Sequence, residues 1–208
     1  MKTLFKTALI LSVIALVGCS KSDNPNDPVP FTNNTSFHNC LLTKNRGAFD
    51  LNGDGIIDAS EAAAITDFEI ASNDEVTSLE GINALTHLRA FSLFKPLTTP
   101  INIDIDSMRT IRIRPGVTTV RISGKKVNFV ETSGNITALD VTGCPELTKL
   151  DVMSDNLKSI DVSNNKKLTY IYVSAWGICT FETLYVWEGF NLDSMEKLYL
   201  KTGVIVKK

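Results

Sequence analysis

Between Ile136 and Val173 the apolar and polar positions follow a figure that recurs. The segment ITALDVTGCPELTKLDV (136–152) aligns with LKSIDVSNNKKLTYIYV (157–173) at a shift of 21 residues. Ile136, Leu139, Val141, Leu147, Leu150 and Val152 fall on Leu157, Ile160, Val162, Leu168, Ile171 and Val173, and Asp140 falls on Asp161. Each period divides into two half-repeats of the form L-x-x-L-x-V. The last three positions read apolar, polar, apolar, the alternation of a short strand with one buried face. Polar turns such as SNNKK (163–167) then reverse the chain. One half-repeat has too little apolar edge to form a core alone, whereas stacked copies make the core continuous. The pattern therefore predicts a strand-dominated solenoid with a repeat of about 21 residues and two short strands per repeat.

The figure extends backwards in looser form. LTHLRAFSL supplies Leu85, Leu88, Phe91 and Leu93; MRTIRI supplies Met108, Ile111 and Ile113; VTTVRI supplies Val117, Val120 and Ile122. From Lys95 to Val130 the repeat is degraded, and from about residue 181 a weaker periodicity predicts a C-terminal cap. Upstream, residues 36–47 predict a short helix with Phe37, Cys40 and Leu41 on its buried side. SEAAAI (60–65) predicts a second helix, with Asp58 and Glu61 in capping-box spacing. The expected organisation is a helix-loop-helix cap over 36–67 and a repeat domain over 68–208.

DLNGDGIIDASE (50–61) lies between the two helices. Calcium takes six to eight oxygen ligands, and a twelve-residue loop offers them at positions 1, 3, 5, 7, 9 and 12. Counted from Asp50, these are Asp50, Asn52, Asp54, the carbonyl of Ile56, Asp58 and Glu61, the last binding through both oxygens. Gly55 stands at position 6, where the loop must turn sharply, and Ile57 at position 8 can pack inward. Carboxylates this close would repel one another without a cation. Sensor hands come in pairs, and the chain has one acidic loop, so the expected role of the ion is structural.

The first 18 residues carry Lys2 and Lys6, an apolar run from Ala8 to Val17 and a small residue before Cys19. This is the build of a signal peptide, and the run is too short to span a bilayer. LVGC (16–19) resembles the bacterial lipobox, in which the cysteine is lipidated and becomes the new N-terminus. Residues 19–35, rich in Pro, Asn and Asp, form an extended tether. Ser20 after the cysteine resembles a sorting signal for the outer membrane. Loss of residues 1–18 leaves 21 − 2 = 19 basic residues against 23 acidic, a balance of −4 with no footprint for nucleic acid. The remaining cysteines, Cys40, Cys144 and Cys179, have no zinc spacing and read mainly as small buried residues.

His38 and His87 have no hydrolase or zinc motif around them, so no enzyme is expected. Asp140 and Asp161 read as solvated ladder residues rather than a catalytic pair. Arg109, Arg112, Arg114, Arg121, Lys125 and Lys126 form a run without an acid. Arg112 and Arg121 occupy equivalent places in successive half-repeats, which would set them side by side to receive an anionic glycan or acidic partner. All four tyrosines and both tryptophans lie between Tyr170 and Tyr199. Tyr172, Tyr185 and Tyr199 take the outward place in their half-repeats, and Trp187 follows Tyr185 by two. Aromatics are common anchors of protein interfaces. Tyr172, Tyr185 and Trp187 are therefore the candidate ligand contacts, with Arg112 and Arg121 second; closure of the solenoid end is the competing account of the rings.

The lipobox, the tether, DLNGDGIIDASEAAAI, SLEGINALTHL and LKSIDVSNNKKLTYIYV together resemble a family of leucine-rich-repeat lipoproteins of Bacteroidetes-type bacteria that carry one EF-hand-like loop. LYVWEGF resembles their C-terminal ends. The resemblance implies an α/β leucine-rich-repeat solenoid, calcium as cofactor, surface display from the outer membrane, and binding without a reaction. The expected protein is a monomeric recognition module for a protein partner. The alternative is a glycan-binding accessory lipoprotein of a polysaccharide-uptake system.

Overall fold

The computed structural model of the chain describes residues 35–44, 47–114, 116–200 and 203–207. The signal peptide, Cys19 and nearly all of the tether lie outside the described residues.

The first helix, α1 (Ser36–Thr43), is started by Thr35, whose hydroxyl accepts the His38 N–H at 3.1 Å. The second, α2 (Ala59–Ala64), is started by a reciprocal capping box between Asp58 and Glu61. Phe37, Leu41 and Ile57 are fully buried, and burial of each side chain contributes about 2 kcal/mol to docking this cap. Phe37 and Phe49 both meet the Phe68 ring, at 5.8 and 5.7 Å between centroids. Phe68 belongs to β1 (Asp67–Ile70), so the cap covers the first strand of the solenoid. Ser36 and Lys44 tie α1 to the segment after β1: the Ser36 hydroxyl accepts the Thr77 and Ser78 N–H groups, and Lys44 pairs with Asp74.

Among the described residues, twelve further strands complete the two walls: β2 (Ala90–Leu93), β3 (Ile101–Asp104), β4 (Thr110–Ile113), β5 (Thr119–Ser123), β6 (Phe129–Ser133), β7 (Ala138–Gly143), β8 (Lys149–Met153), β9 (Ser159–Asp161), β10 (Tyr170–Ser174), β11 (Thr183–Tyr185), β12 (Lys197–Tyr199) and β13 (Ile205–Lys207). Every strand pairing is parallel. One sheet runs β1-β2-β4-β6-β8-β10-β12 and the other β3-β5-β7-β9-β11-β13. From β2 onward successive strands go to alternate sheets, so each turn gives one strand to either wall. The core is the space between the walls, filled by the inward residues of both, such as Phe91, Ile111, Val130, Leu150 and Ile171 from one side and Ile103, Ile122, Val141 and Ile160 from the other.

The strand-dominated solenoid with two strands per turn is what the repeat predicts. The α/β part of that expectation needs correction. Both walls are parallel sheet, and the described α-helices lie only in the N-terminal cap, so the architecture is a parallel β-solenoid rather than a sheet backed by helices. Half-repeats of about ten residues are long enough for a strand and a turn, and too short for a strand and a helix of ordinary length. The turn length also varies. Lys149 pairs with Tyr170, a step of 21, but Thr110 pairs with Phe129, a step of 19, and Tyr170 with Lys197, a step of 27. Where turns stack most closely glycine is required: a Cβ on Gly124 would lie 2.4 Å from the Ile105 carbonyl oxygen.

Candidate functional site

The acidic loop between the helices folds on its own carboxylates. Asp50 accepts the N–H groups of Gly53 and Gly55, at 2.8 and 3.0 Å; Asn52 accepts that of Asp54; Asp54 accepts that of Ile56. Gly55 has φ +79°, a left-handed conformation that suits glycine at the sharp turn. Glu61 reaches back from α2, almost wholly buried, and accepts the N–H groups of Leu51 (2.6 Å), Asn52 (3.2 Å) and Asp58 (3.0 Å). The N–H of Glu61 and the Ser60 hydroxyl, both donating to Asp58, hold its carboxyl below the usual carboxylate range. The donor set is all oxygen and suits a hard cation, and the turn glycine and buried Ile57 take the places such a loop requires. The same oxygens are here engaged by main-chain N–H groups, and among the described residues no three acidic, His or Cys side chains converge as a metal cluster.

The outward residues of each wall form a ladder. On the first sheet it runs Glu69, Ser92, Arg112, Glu131, Asp151, Tyr172, Tyr199. On the second it runs Asn102, Arg121, Asp140, Asp161, Tyr185, Lys207. Arg112 and Arg121 are thus on opposite walls and not side by side, because consecutive half-repeats alternate between sheets. Arg112 lies 3.4 Å from Glu131, and Arg121 lies 3.5 Å from Asp140. The candidate aromatics are divided in the same way. Tyr172 and Tyr199 stack on the first sheet with centroids 4.7 Å apart, and the Lys197 ammonium sits 4.7 Å from the Tyr172 ring centre. Tyr185 is alone among the tyrosines on the second wall, with Lys207 over its ring at 5.5 Å.

Trp187 does not point outward. It lies beyond the end of β11 and packs half-buried on the core and edge-on against Phe190 at 4.9 Å. It belongs to the closure of the solenoid. Arg121, Asp140, Asp161 and Tyr185 instead line a shallow groove of about 530 Å³ on the second wall, floored by the small exposed residues Thr119, Ala138 and Ser159. Asp140 accepts from the N–H and hydroxyl of Thr142, and Asp161 from the Ser163 N–H, which fixes both carboxylates.

Sequence reasoning misses one pairing on these faces and one buried side chain behind them. Lys197 and Tyr199 join Tyr172 only because β12 pairs with β10 across a 27-residue step, which the 21-residue period does not reveal. Asn165, within a turn that reads as wholly polar, is fully buried and donates to the carbonyls of Val141 (2.9 Å) and Cys144 (2.7 Å) in the preceding turn. Cys40 and Cys144 are buried free thiols. Burial pushes the Cys144 thiol up to about 12, which keeps it protonated and inert.

No protein-family model matches the chain, and no curated protein is significantly similar to it.

Proposed function

We propose that the protein is a calcium-stabilised recognition module held at the outer membrane by a lipid on Cys19, and that it binds a protein partner across the C-terminal part of its first sheet. The observation that carries the reading is the outward stack of Tyr172 and Tyr199 beside Lys197. Along the rest of that ladder outward side chains are charged or small, and Arg112 is neutralised by Glu131. Solvent requires no aromatic pair at such positions. Flat, stiff rings with a cation beside them are the kind of anchor protein interfaces use. The likeness to leucine-rich-repeat lipoproteins supports the same assignment through the lipobox, the tether and the L-x-x-L-x-V figure. The protein is read as a monomer, and its mature balance of −4 offers no footprint for nucleic acid.

Calcium would be held by Asp50, Asn52, Asp54, the Ile56 carbonyl, Asp58 and Glu61, and it would brace the cap rather than act in a reaction. The chemistry of the donor set supports this reading. Anchoring rests on the sequence. No helix among the described residues is long and apolar enough to cross a membrane, and a lipid on Cys19 supplies attachment of its own. Cys19→Ala is expected to move the protein from the membrane fraction to the soluble fraction. Persistence in the membrane would disprove the anchor.

A second reading, a glycan-binding accessory lipoprotein, is favoured by the groove on the other wall. There two fixed carboxylates, a guanidinium and the Tyr185 ring offer hydrogen bonds and a stacking surface to a sugar. One screen separates the two readings: protein and glycan arrays probed with wild type, Tyr172→Ala and Tyr185→Ala. Loss of a protein hit with Tyr172→Ala supports the first reading. Loss of a glycan hit with Tyr185→Ala replaces it with the second.

A further inference from the structure

The six basic residues from Arg109 to Lys126 are one run in the sequence, but the fold sorts them. Arg112 and Arg114 both meet Glu131 on the first wall, and Arg114 also covers the Phe94 ring at 5.2 Å. Arg121 meets Asp140 on the second wall. Lys125 pairs with Asp106 at 2.5 Å. Arg109 and Lys126 are left with no ion pair among the described residues. Arg109 stands one turn after Arg89, another exposed cation in the same state, and its N–H donates to the Arg89 carbonyl at 2.8 Å. The two backbones are therefore at ladder spacing, about 4.8 Å apart.

The corner where the chain turns into the first sheet thus carries His87 and Arg89 from one turn, Ser107 and Arg109 from the next, and Lys125 and Lys126 from the third. Together with Thr86 and Asp106 they line a groove of about 420 Å³. Asp106 is its one acid, and it is occupied by the ammonium and the N–H of Lys125. The floor is stitched across turns: the Ser107 hydroxyl donates to the carbonyls of Thr86 and Leu88 at 2.6 and 2.8 Å. Two guanidinium groups and an ammonium therefore project from a fixed backbone, outside any ion pair among the described residues. A bound anion would relieve their mutual repulsion.

We propose that this corner groove binds the sulfate or phosphate ester groups of an anionic glycan, with Arg89 and Arg109 as forks and Lys126 as a third charge. Guanidinium groups match the paired oxygens of such esters, and adjacent forks on neighbouring strands suit neighbouring groups on one chain. Three turns span about 10 Å, a length suited to more than one sugar. A lipid surface is the poorer fit, because the lining includes no exposed large apolar side chain to enter a bilayer. The site is separate from both ladders and does not depend on which of them takes a ligand.

The test measures binding of the full chain to dextran sulfate, dextran phosphate and neutral dextran at physiological ionic strength. The charged polymers are expected to bind and neutral dextran not. Arg89→Gln and Arg109→Gln should each weaken binding roughly tenfold, the loss expected for a charge-assisted hydrogen bond. The variant Arg114→Gln, whose guanidinium is paired with Glu131, should bind as wild type. If either groove arginine variant melts early, Lys126→Gln, a change at an exposed position outside any ion pair, takes its place and should also weaken binding. Equal binding to neutral dextran would overturn the proposal. So would an equal loss with the paired-arginine variant, which would mean diffuse charge, or binding to phosphatidylglycerol vesicles without binding to dextran sulfate.

Discussion

Tyr172 and Tyr199 occupy the same register on adjacent parallel strands, with ring centroids 4.7 Å apart and planes inclined by 16°. The pair joins the last strand of the first sheet, a three-residue strand, to the strand before it. Offset aromatic pairs contribute about 0.5–1.5 kcal/mol beyond their area. A double-mutant cycle with Tyr172→Ala and Tyr199→Ala in denaturant melts should therefore give a coupling energy of about 1 kcal/mol. A coupling near zero would mean that the rings meet without stabilising the edge.

Thr132 sits where the half-repeat calls for its last apolar residue: Val127 and Val130 precede it, all three are buried, and the Thr132 hydroxyl has no hydrogen-bond partner. Valine has the same branched shape without the hydroxyl. A buried polar group left unpaired costs about 1–3 kcal/mol. Thr132→Val should stabilise the protein by about 1 kcal/mol, read as a higher denaturation midpoint with an unchanged slope. A loss of stability would show that a water or a neighbouring group satisfies the hydroxyl.

The same threonine shows why the solenoid was legible in some turns and hidden in others. β7 to β10 read clearly because their steps are 21 residues and their inward positions are all aliphatic, as with Asp140 facing Asp161 and Lys149 facing Tyr170. β6 was obscured by Thr132. β3 was obscured by one extra residue, since Leu97 precedes Ile101 by four rather than three, with Pro100 between. Hydrophobic alternation reports which residues point inward, but both walls share one interior, so it cannot report which wall a strand joins. That is why Arg112 and Arg121 read as neighbours and are not. Asn165 was invisible for a related reason: its burial depends on carbonyls left open by the previous turn, a partner that composition does not reveal.

Asp151 faces Glu131 across the strand pair on the first wall. Burial, and then the Glu131 charge, push its carboxyl above the usual range, against the pull of Lys197. A folded-state pKa above the unfolded one means that ionised Asp151 opposes folding at neutral pH, and that the penalty fades as pH falls through the folded value. Asp151→Asn should therefore raise stability at pH near 7 by about 0.5 kcal/mol, the scale of a like-charge cross-strand pair. The gain should shrink towards zero as acid titrates the wild-type carboxyl. A gain that does not change with pH would assign the effect to packing.

Glu61 offers the sharpest test of the acidic loop. Its two carboxylate oxygens accept three main-chain N–H groups, from Leu51, Asn52 and Asp58, so the residue closes the loop by hydrogen bonds alone. In a calcium-holding loop the same oxygens are the bidentate ligand at position 12. Glutamine retains an acceptor oxygen but loses the charge, so it separates the two roles. If the loop holds calcium, the wild type should melt higher with calcium than with a chelator, by about 2.7 kcal/mol of stabilisation at a hundredfold excess over Kd. Glu61→Gln should lose most of that dependence and melt near the chelated wild type, whereas Glu61→Ala should melt lower still. Identical wild-type melts with and without calcium would assign Glu61 to capping and loop closure, with no metal involved.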